Sequence, residues 1–191
     1  MRMRIAGIAL VPMFFMVFNG VDNLRSELRR LHVHTALLVR SQAIDDSPVW
    51  SPDSRYIGAN IQGKWFKVDL SRVNLLEATW HGERLGSVGS DEGLEPITKG
   101  KAREWDKVTK HGNTYLTGKS GVRAEFNNDE LSTFLTLSKG TQRVIVFKSD
   151  IESCGAPTFS PDEEFLAYIC ETNGVLVTDV GEAFSTAKNH D

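Results

Sequence analysis

The sequence predicts an all-β protein built from short antiparallel strands. Two observations carry that expectation. First, the chain nearly repeats itself: Pro48–Leu70 reads PVWSPDSRYIGANIQGKWFKVDL and Pro157–Val180 reads PTFSPDEEFLAYICETNGVLVTDV. Each copy has a Pro, an aromatic residue two positions later, Ser-Pro-Asp, an apolar run, a Gly and a second apolar run closed by Asp. Such internal similarity marks a repeat architecture, in which each unit buries its apolar faces against its neighbours. Second, the apolar residues inside the copies alternate with period two, as Ile57, Ala59 and Ile61 do. That is the period of a strand and not of a helix.

Each element of the first copy follows from local chemistry. Val49-Trp50 is a short strand. Ser51-Pro52-Asp53-Ser54 is a turn, with Pro supplying the fixed φ of the second position and Asp favouring the third. Ile57–Ile61 returns, Gly63 permits another turn, and Trp65–Val68 is a third strand. Upstream, Leu24, Leu28 and Leu31 recur at helical spacing within a charged segment, which predicts a short helix over 22–30. A strand is expected from Leu31 to Val39, with Leu31, Val33, Thr35, Leu37 and Val39 on one face. A weaker third copy, Ala124–Phe147, places Phe126 at the aromatic position and Asn127-Asn128-Asp129 in the turn. Its returning run starts at Leu131, and Val144–Phe147 is its last strand. The turn Asp residues fall at 53, 129 and 162, so the first gap is more than twice the second. A degenerate unit near Pro96–Leu116, around Trp105, would fill it. Trp80–Arg103, rich in Gly and charge, reads as loop or decayed unit.

Composition sets the outer limits. The 191 residues are enough for one domain with a real core. A net charge of −3 and a pI near 6.0 give no basic footprint, so nucleic acid is not the expected partner. Arg2 and Arg4 precede an apolar run, Ile5–Phe18, of 14 residues. That is too short to span a bilayer but fits the apolar part of an export signal. The expectation is a signal peptide or anchor over 1–20, cleaved near Gly20 or Asn23, followed by a secreted or periplasmic domain over 21–191. Membrane contact would arise only through an uncleaved N-terminal segment. No Cys follows the apolar run to take a lipid.

The Trp50-Ser51-Pro52-Asp53 and Phe159-Ser160-Pro161-Asp162 segments resemble the TolB-type propeller repeat, a relative of the WD repeats. In that family an aromatic-Ser-Pro-Asp-Gly turn joins the first two strands of each blade. The usual turn Gly is replaced here by Ser54, Glu163 and, in the weak copy, Glu130. A type I turn tolerates most residues at its fourth position. The resemblance implies a small or incomplete β-propeller of about three to four antiparallel blades, since WD-type blades use about 40–45 residues each. It implies that Trp50, Phe126 and Phe159 pack between blades.

Candidate chemistry is sparse. If Phe159 pairs with Phe165 across the last Ser-Pro-Asp turn, an unbroken ladder puts Cys154 opposite Cys170, within disulfide reach. Two buried free thiols are the alternative if Gly155 or Pro157 ends the ladder. His32 and His34 would share one face of a strand, but a metal site needs a third or fourth ligand and none is in register. Gly118-Lys119-Ser120 lacks the earlier Gly of a phosphate loop, and Gly121 directly after Ser120 breaks the nucleophile-elbow spacing. Asp45-Asp46, Asp91-Glu92, Asp129-Glu130 and Asp162-Glu163-Glu164 read as turns. No catalytic residue, cofactor or metal is assigned. The expected function is a non-catalytic exported module that binds another protein or further propeller blades. Two alternatives stand beside it: a hydrolase or glycan-acting enzyme, or accessory domain, with its site in the propeller channel, and a vestigial propeller fragment.

Overall fold

The computed structural model describes residues 20–41, 43–80, 83–89, 93–128, 132–150, 153–171 and 174–187. Residues 1–19 of the expected export signal, Asp129, Glu130, Leu131 and the Asp91-Glu92 pair lie outside them. In chain order the elements are helix α1 (Gly20–Leu31), then β1 (Thr35–Val39), β2 (Val49–Trp50), β3 (Tyr56–Ile61) and β4 (Lys64–Asp69). There follow β5 (Leu76–Trp80), β6 (Glu83–Ser87), β7 (Leu94–Pro96), helix α2 (Lys99–Asp106), β8 (Lys110–His111) and β9 (Tyr115–Thr117). The chain continues through β10 (Arg123–Asn128), β11 (Thr133–Lys139), β12 (Gln142–Ser149), β13 (Cys154–Phe159), β14 (Phe165–Cys170) and β15 (Gly174–Asp179) to helix α3 (Val180–Ala187).

The protein is predominantly β, as the alternation predicts, and its strands form three sheets. The first runs β2-β3-β4-β7, the second β12-β11-β10-β9, and the third β5-β6-β1-β15-β14-β13-β8. Each contains a three-strand antiparallel meander carrying one copy of the repeat: β2-β3-β4, β10-β11-β12 and β13-β14-β15. Each sheet is open, with two edges, and none closes on itself. The third sheet joins the two ends of the chain. β1 pairs with β15, Thr35 opposite Thr178 and Leu37 opposite Leu176, and runs parallel to β6 on its other side.

The core explains why the last repeat is the more apolar of the two strong copies. Phe165, Ala167, Val175 and Val177 pack on one face of the third sheet with Trp50, Ile57 and Val68 of the first sheet. Leu166, Tyr168, Cys170 and Leu176 pack on the other face with Ala124, Phe126, Leu135 and Leu137 of the second. The third sheet is therefore the middle layer, and β14 and β15 are apolar on both faces as a doubly covered strand must be. Helix α1 sends Leu24, Leu28 and Leu31 into the first cluster, and α3 sends Val180 and Ala183 into the second.

Several expectations are corrected. The strand expected from Leu31 starts only at Thr35. His32 sits at φ 56, Val33 N–H donates to Leu28 O and His32 N–H to Arg29 O. That is a Schellman ending of α1, with His where Gly is usual. The expected single face of Leu31, Val33, Thr35, Leu37 and Val39 is not kept. Leu31, Val33 and Val39 pack in the first cluster and Leu37 in the second, and the β1–β15 register shifts between Leu37 and Val39. The described part of Trp80–Arg103, expected as loop or decayed unit, carries strands: the β5-β6 hairpin leaves the first sheet and joins the third, and the fourth strand of the first sheet arrives only at β7. The region around Trp105 is not a decayed blade but α2, capped by Thr98, whose hydroxyl accepts from Lys101 N–H at 3.2 Å. The inserted hairpin and this helix account for the long gap between the first two turn Asp residues. In the weak copy, Asn127 and Asn128 are not turn residues but end β10, opposite Phe134 and Thr133.

Candidate functional site

The two Ser-Pro-Asp turns are built alike. Ser51 Oγ accepts from Tyr56 N–H at 2.8 Å and donates to Asp53 Oδ1 at 2.6 Å, while Asp53 Oδ1 accepts from Arg55 N–H. Ser160 Oγ accepts from Phe165 N–H at 3.0 Å and donates to Asp162 Oδ1 at 2.5 Å, while Asp162 Oδ1 accepts from Glu164 N–H. The Ser and Asp side chains thus satisfy backbone donors that the tight turn would leave unpaired. The fourth turn position is not neutral, as a simple type I turn would make it. Ser54 has φ 58 and Glu163 φ 61, the left-handed region where Gly is at ease.

Both turns open on one groove of about 350 Å³, lined by Pro52 and Pro161 together with Val108, Lys110, Lys119 and Glu163. Glu163 gains from its left-handed position. Its carboxylate accepts from the N–H groups of Lys119 and Ser120. Burial raises the Glu163 pKa, but these two backbone donors outweigh it and hold the group below the usual carboxylate range. The Gly118–Ser120 segment, which fails as a phosphate loop, thus holds an anion from its own chain and ties the second sheet to the third.

The Asp closing each copy is also matched. Asp69 lies opposite Tyr56 and Asp179 opposite Phe165. Arg55 Nε and a terminal guanidinium nitrogen reach the two Asp69 oxygens at 3.1 and 2.8 Å. Burial pushes Asp69 upward, but hydrogen bonds from Arg55 and Ser71 win and bring its pKa to about 2. In the last copy Glu164 stands where Arg55 does, and the guanidinium comes instead from α1. Arg25 Nε donates to Asp179 Oδ2 at 2.6 Å, and Arg25 also reaches Glu164 at 3.1 Å. Helix α1 is fixed at its other side by Asn23, whose Nδ2 donates to Val73 O at 2.9 Å.

The aromatic residues lie at sheet-to-sheet contacts. Trp50 is fully buried, and its indole N–H donates to Thr158 of β13. Phe126 meets Tyr168 edge to face at 5.4 Å, and Phe147 meets the same ring at 5.8 Å. Phe159 is buried in the same cluster. Burial pushes the Tyr168 hydroxyl pKa upward, against hydrogen bonds to Thr178 and Thr35.

Cys154 and Cys170 form a disulfide, with Cα atoms 4.2 Å apart and both side chains buried. The register that joins them differs in detail from the expected one. Phe159 pairs with Leu166 and not Phe165, but a bulge between Gly155 and Thr158 shifts the ladder back by one, so Cys154 still faces Cys170. A buried disulfide is compatible with an oxidising extracellular or periplasmic environment.

A cleft of about 400 Å³ lies between β3, β4, α2 and β8, lined by Asp46, Ser47, Asn60, Trp65, Lys99, Arg103, Asp106 and His111 among others. The Ile44–Ile61 bridge lays the loop before β2 along β3, and Asn60 Nδ2 donates to Asp46 Oδ2 at 2.6 Å. His111 Nε2 lies 2.7 Å from Asp106 Oδ1. Ser47 lines the same cleft, but no hydrogen bond joins it to His111, so no nucleophile–base pair is assembled there. Tyr56 stacks on Trp105 at 5.9 Å, seating α2 on the first sheet. This cleft was not legible in the sequence, because its residues are scattered over three segments and form no motif.

The histidine pair does not make a metal site. His32 is in the turn after α1, and His34 Nε2 is 2.9 Å from Val146 O. Among the described residues, no group of three or more His, Cys, Asp or Glu side chains is placed to hold a metal ion. Among them, too, no helix is long and apolar enough to cross a membrane. No known family model, curated protein or solved structure matches the chain.

Proposed function

We propose that this chain is an exported, non-catalytic, propeller-like module that binds another protein in the cell envelope or outside the cell. The observation that carries the reading is the pair of Ser-Pro-Asp turns. They have the same hydrogen bonds and open on one groove. Repeats that present equivalent turns on one side are what a blade array requires. The pairing of β1 with β15 supports the same reading, because it completes the last meander with a strand from before the first. The case for a partner rests on edges. The three sheets leave strands such as β12 and β5 at their ends, and exposed Ile145 and Leu76 lie on them. Edge strands are the natural place for another chain to add.

The test is a quantitative pull-down with the oxidised protein from envelope and extracellular fractions. The reading expects one stoichiometric partner that re-forms the complex from purified components. It is contradicted if no such partner is recovered across conditions that preserve the disulfide.

A further inference from the structure

The face of the first sheet that bears α2 carries a second inference, independent of the protein-binding role. Tyr56, Gly58 and Asn60 share that face of β3, since every second residue of a strand points the same way. Helix α2 covers the first two: Trp105 stacks on Tyr56, and a Cβ on Gly58 would lie 3.4 Å from the Trp105 ring. Farther along, Asn60 and its cross-strand neighbour Trp65 line the cleft of about 400 Å³. That volume lies within the range of small-molecule sites. The loop before β2 is tied to the same strands. Asp45 N–H donates to Asn60 O at 3.0 Å, and the Asp45 carboxylate accepts from Gly63 N–H at 2.6 Å. Asp46 accepts from Asn60 Nδ2 at 2.6 Å. The cleft is therefore preformed, which lowers the ordering cost of binding.

The formal charges of the lining cancel, Asp46 and Asp106 against Lys99 and Arg103. They are also intermingled. Lys99, Arg103 and Asp106 lie on one face of α2 at successive turns, so the helix wall is of mixed sign. His111, the other titratable group of the lining, is matched to Asp106 at 2.7 Å. A ligand of net charge would meet like charge on α2 itself. A hydroxyl group donates to a carboxylate and accepts from a guanidinium, so a ligand made of hydroxyls uses both signs at once. Trp65 is half-buried, and its indole N–H makes no hydrogen bond among the described residues. It gives the cleft an apolar surface with a donor beside it. We propose that this cleft binds a neutral sugar of one or two pyranose rings. The apolar C–H face of a ring packs on Trp65, and the hydroxyls bond to Asp46, Arg103 and Asp106.

The experiment is isothermal titration calorimetry, paired with backbone-amide NMR, on the full oxidised protein. The probes are maltose, cellobiose and N,N′-diacetylchitobiose, with glucuronate and L-leucine as an anionic and a zwitterionic control. At least one disaccharide is expected to half-saturate the protein at or below about 10 mM and to shift amides in β3, β4 and α2. The two controls are expected to bind about tenfold more weakly. Arg103 is exposed and forms no ion pair among the described residues, so Arg103→Gln leaves the fold intact. It is expected to weaken binding about tenfold, the loss of one charge-assisted hydrogen bond. Trp65→Ala is expected to abolish it. The proposal is overturned if none of the disaccharides binds at about 10 mM. It is overturned equally if a charged control binds as tightly as the sugars, if the shifts lie elsewhere, or if either variant binds unchanged.

Discussion

Replacing Cys154 and Cys170 together with Ala removes one covalent link and little else, since both side chains are small and buried. The link closes a span of 16 residues across the β13-β14 hairpin. In the chain-entropy treatment, a loop of about 15 residues restricts the unfolded state by about 3 kcal/mol. The hairpin ladder already orders this segment in the folded state, so the loss falls on the unfolded ensemble. For a protein of this size each kcal/mol moves the melting temperature by about 2–4 °C, so the double variant is expected to melt about 6–12 °C lower. Circular dichroism melts with and without reductant separate the covalent term from any packing change. Reductant should lower the wild-type transition toward that of the variant and leave the variant unmoved. A variant that melts within about 2 °C of the oxidised wild type, or free thiols in the unreduced protein, would refute the reasoning.

Three further outcomes follow from the repeat geometry. Asp69→Asn removes a carboxylate whose folded pKa of about 2 lies below its unfolded value of about 3.9. Its stabilisation of about 2 kcal/mol is present above the unfolded value and lost as pH falls through the folded one; urea titrations should find the gap between variant and wild type narrowing from about pH 7 to about pH 3. Ser54→Gly relieves a left-handed residue and is expected to raise stability by up to about 1 kcal/mol, the steric relief exceeding the added freedom of the unfolded chain; a clear loss in the same titration would count against the turn geometry. Gly174 has φ +101, and a Cβ there would lie 1.9 Å from Val39 O, so Gly174→Ala is expected to cost about 2–4 kcal/mol by prising β1 from β15. A near-neutral melt for that variant would argue against the β1–β15 pairing.

What could be read in the sequence was what is local. Each Ser-Pro-Asp turn is a closed set of hydrogen bonds within six residues, so its residue types report its shape directly. The left-handed fourth position was missed because Ser54 and Glu163 carry no Gly to announce it. The disulfide was reached through a ladder that was off by one at the turn and corrected by a bulge, two shifts that cancel. The β5-β6 hairpin was missed for a different reason. Exposed Leu76 and Glu77 and half-buried Ala78 give it no alternation, and its place is set by β1. α2 is short and mostly exposed, with only Ala102 and Trp105 buried, too few to set a period. The cleft depends on Asp46, Asn60 and Arg103 meeting from three segments, which no spacing along the chain records.

The central claim is that the repeats are organised around a middle sheet that unites the two ends of the described chain. Long-range nuclear Overhauser contacts between β1 and β15 in the oxidised protein test it most directly. The account predicts contacts linking Ala36 with Val177 and Leu37 with Leu176, and slow amide exchange along both strands. A β1 with no contacts to β15 and freely exchanging amides would contradict it.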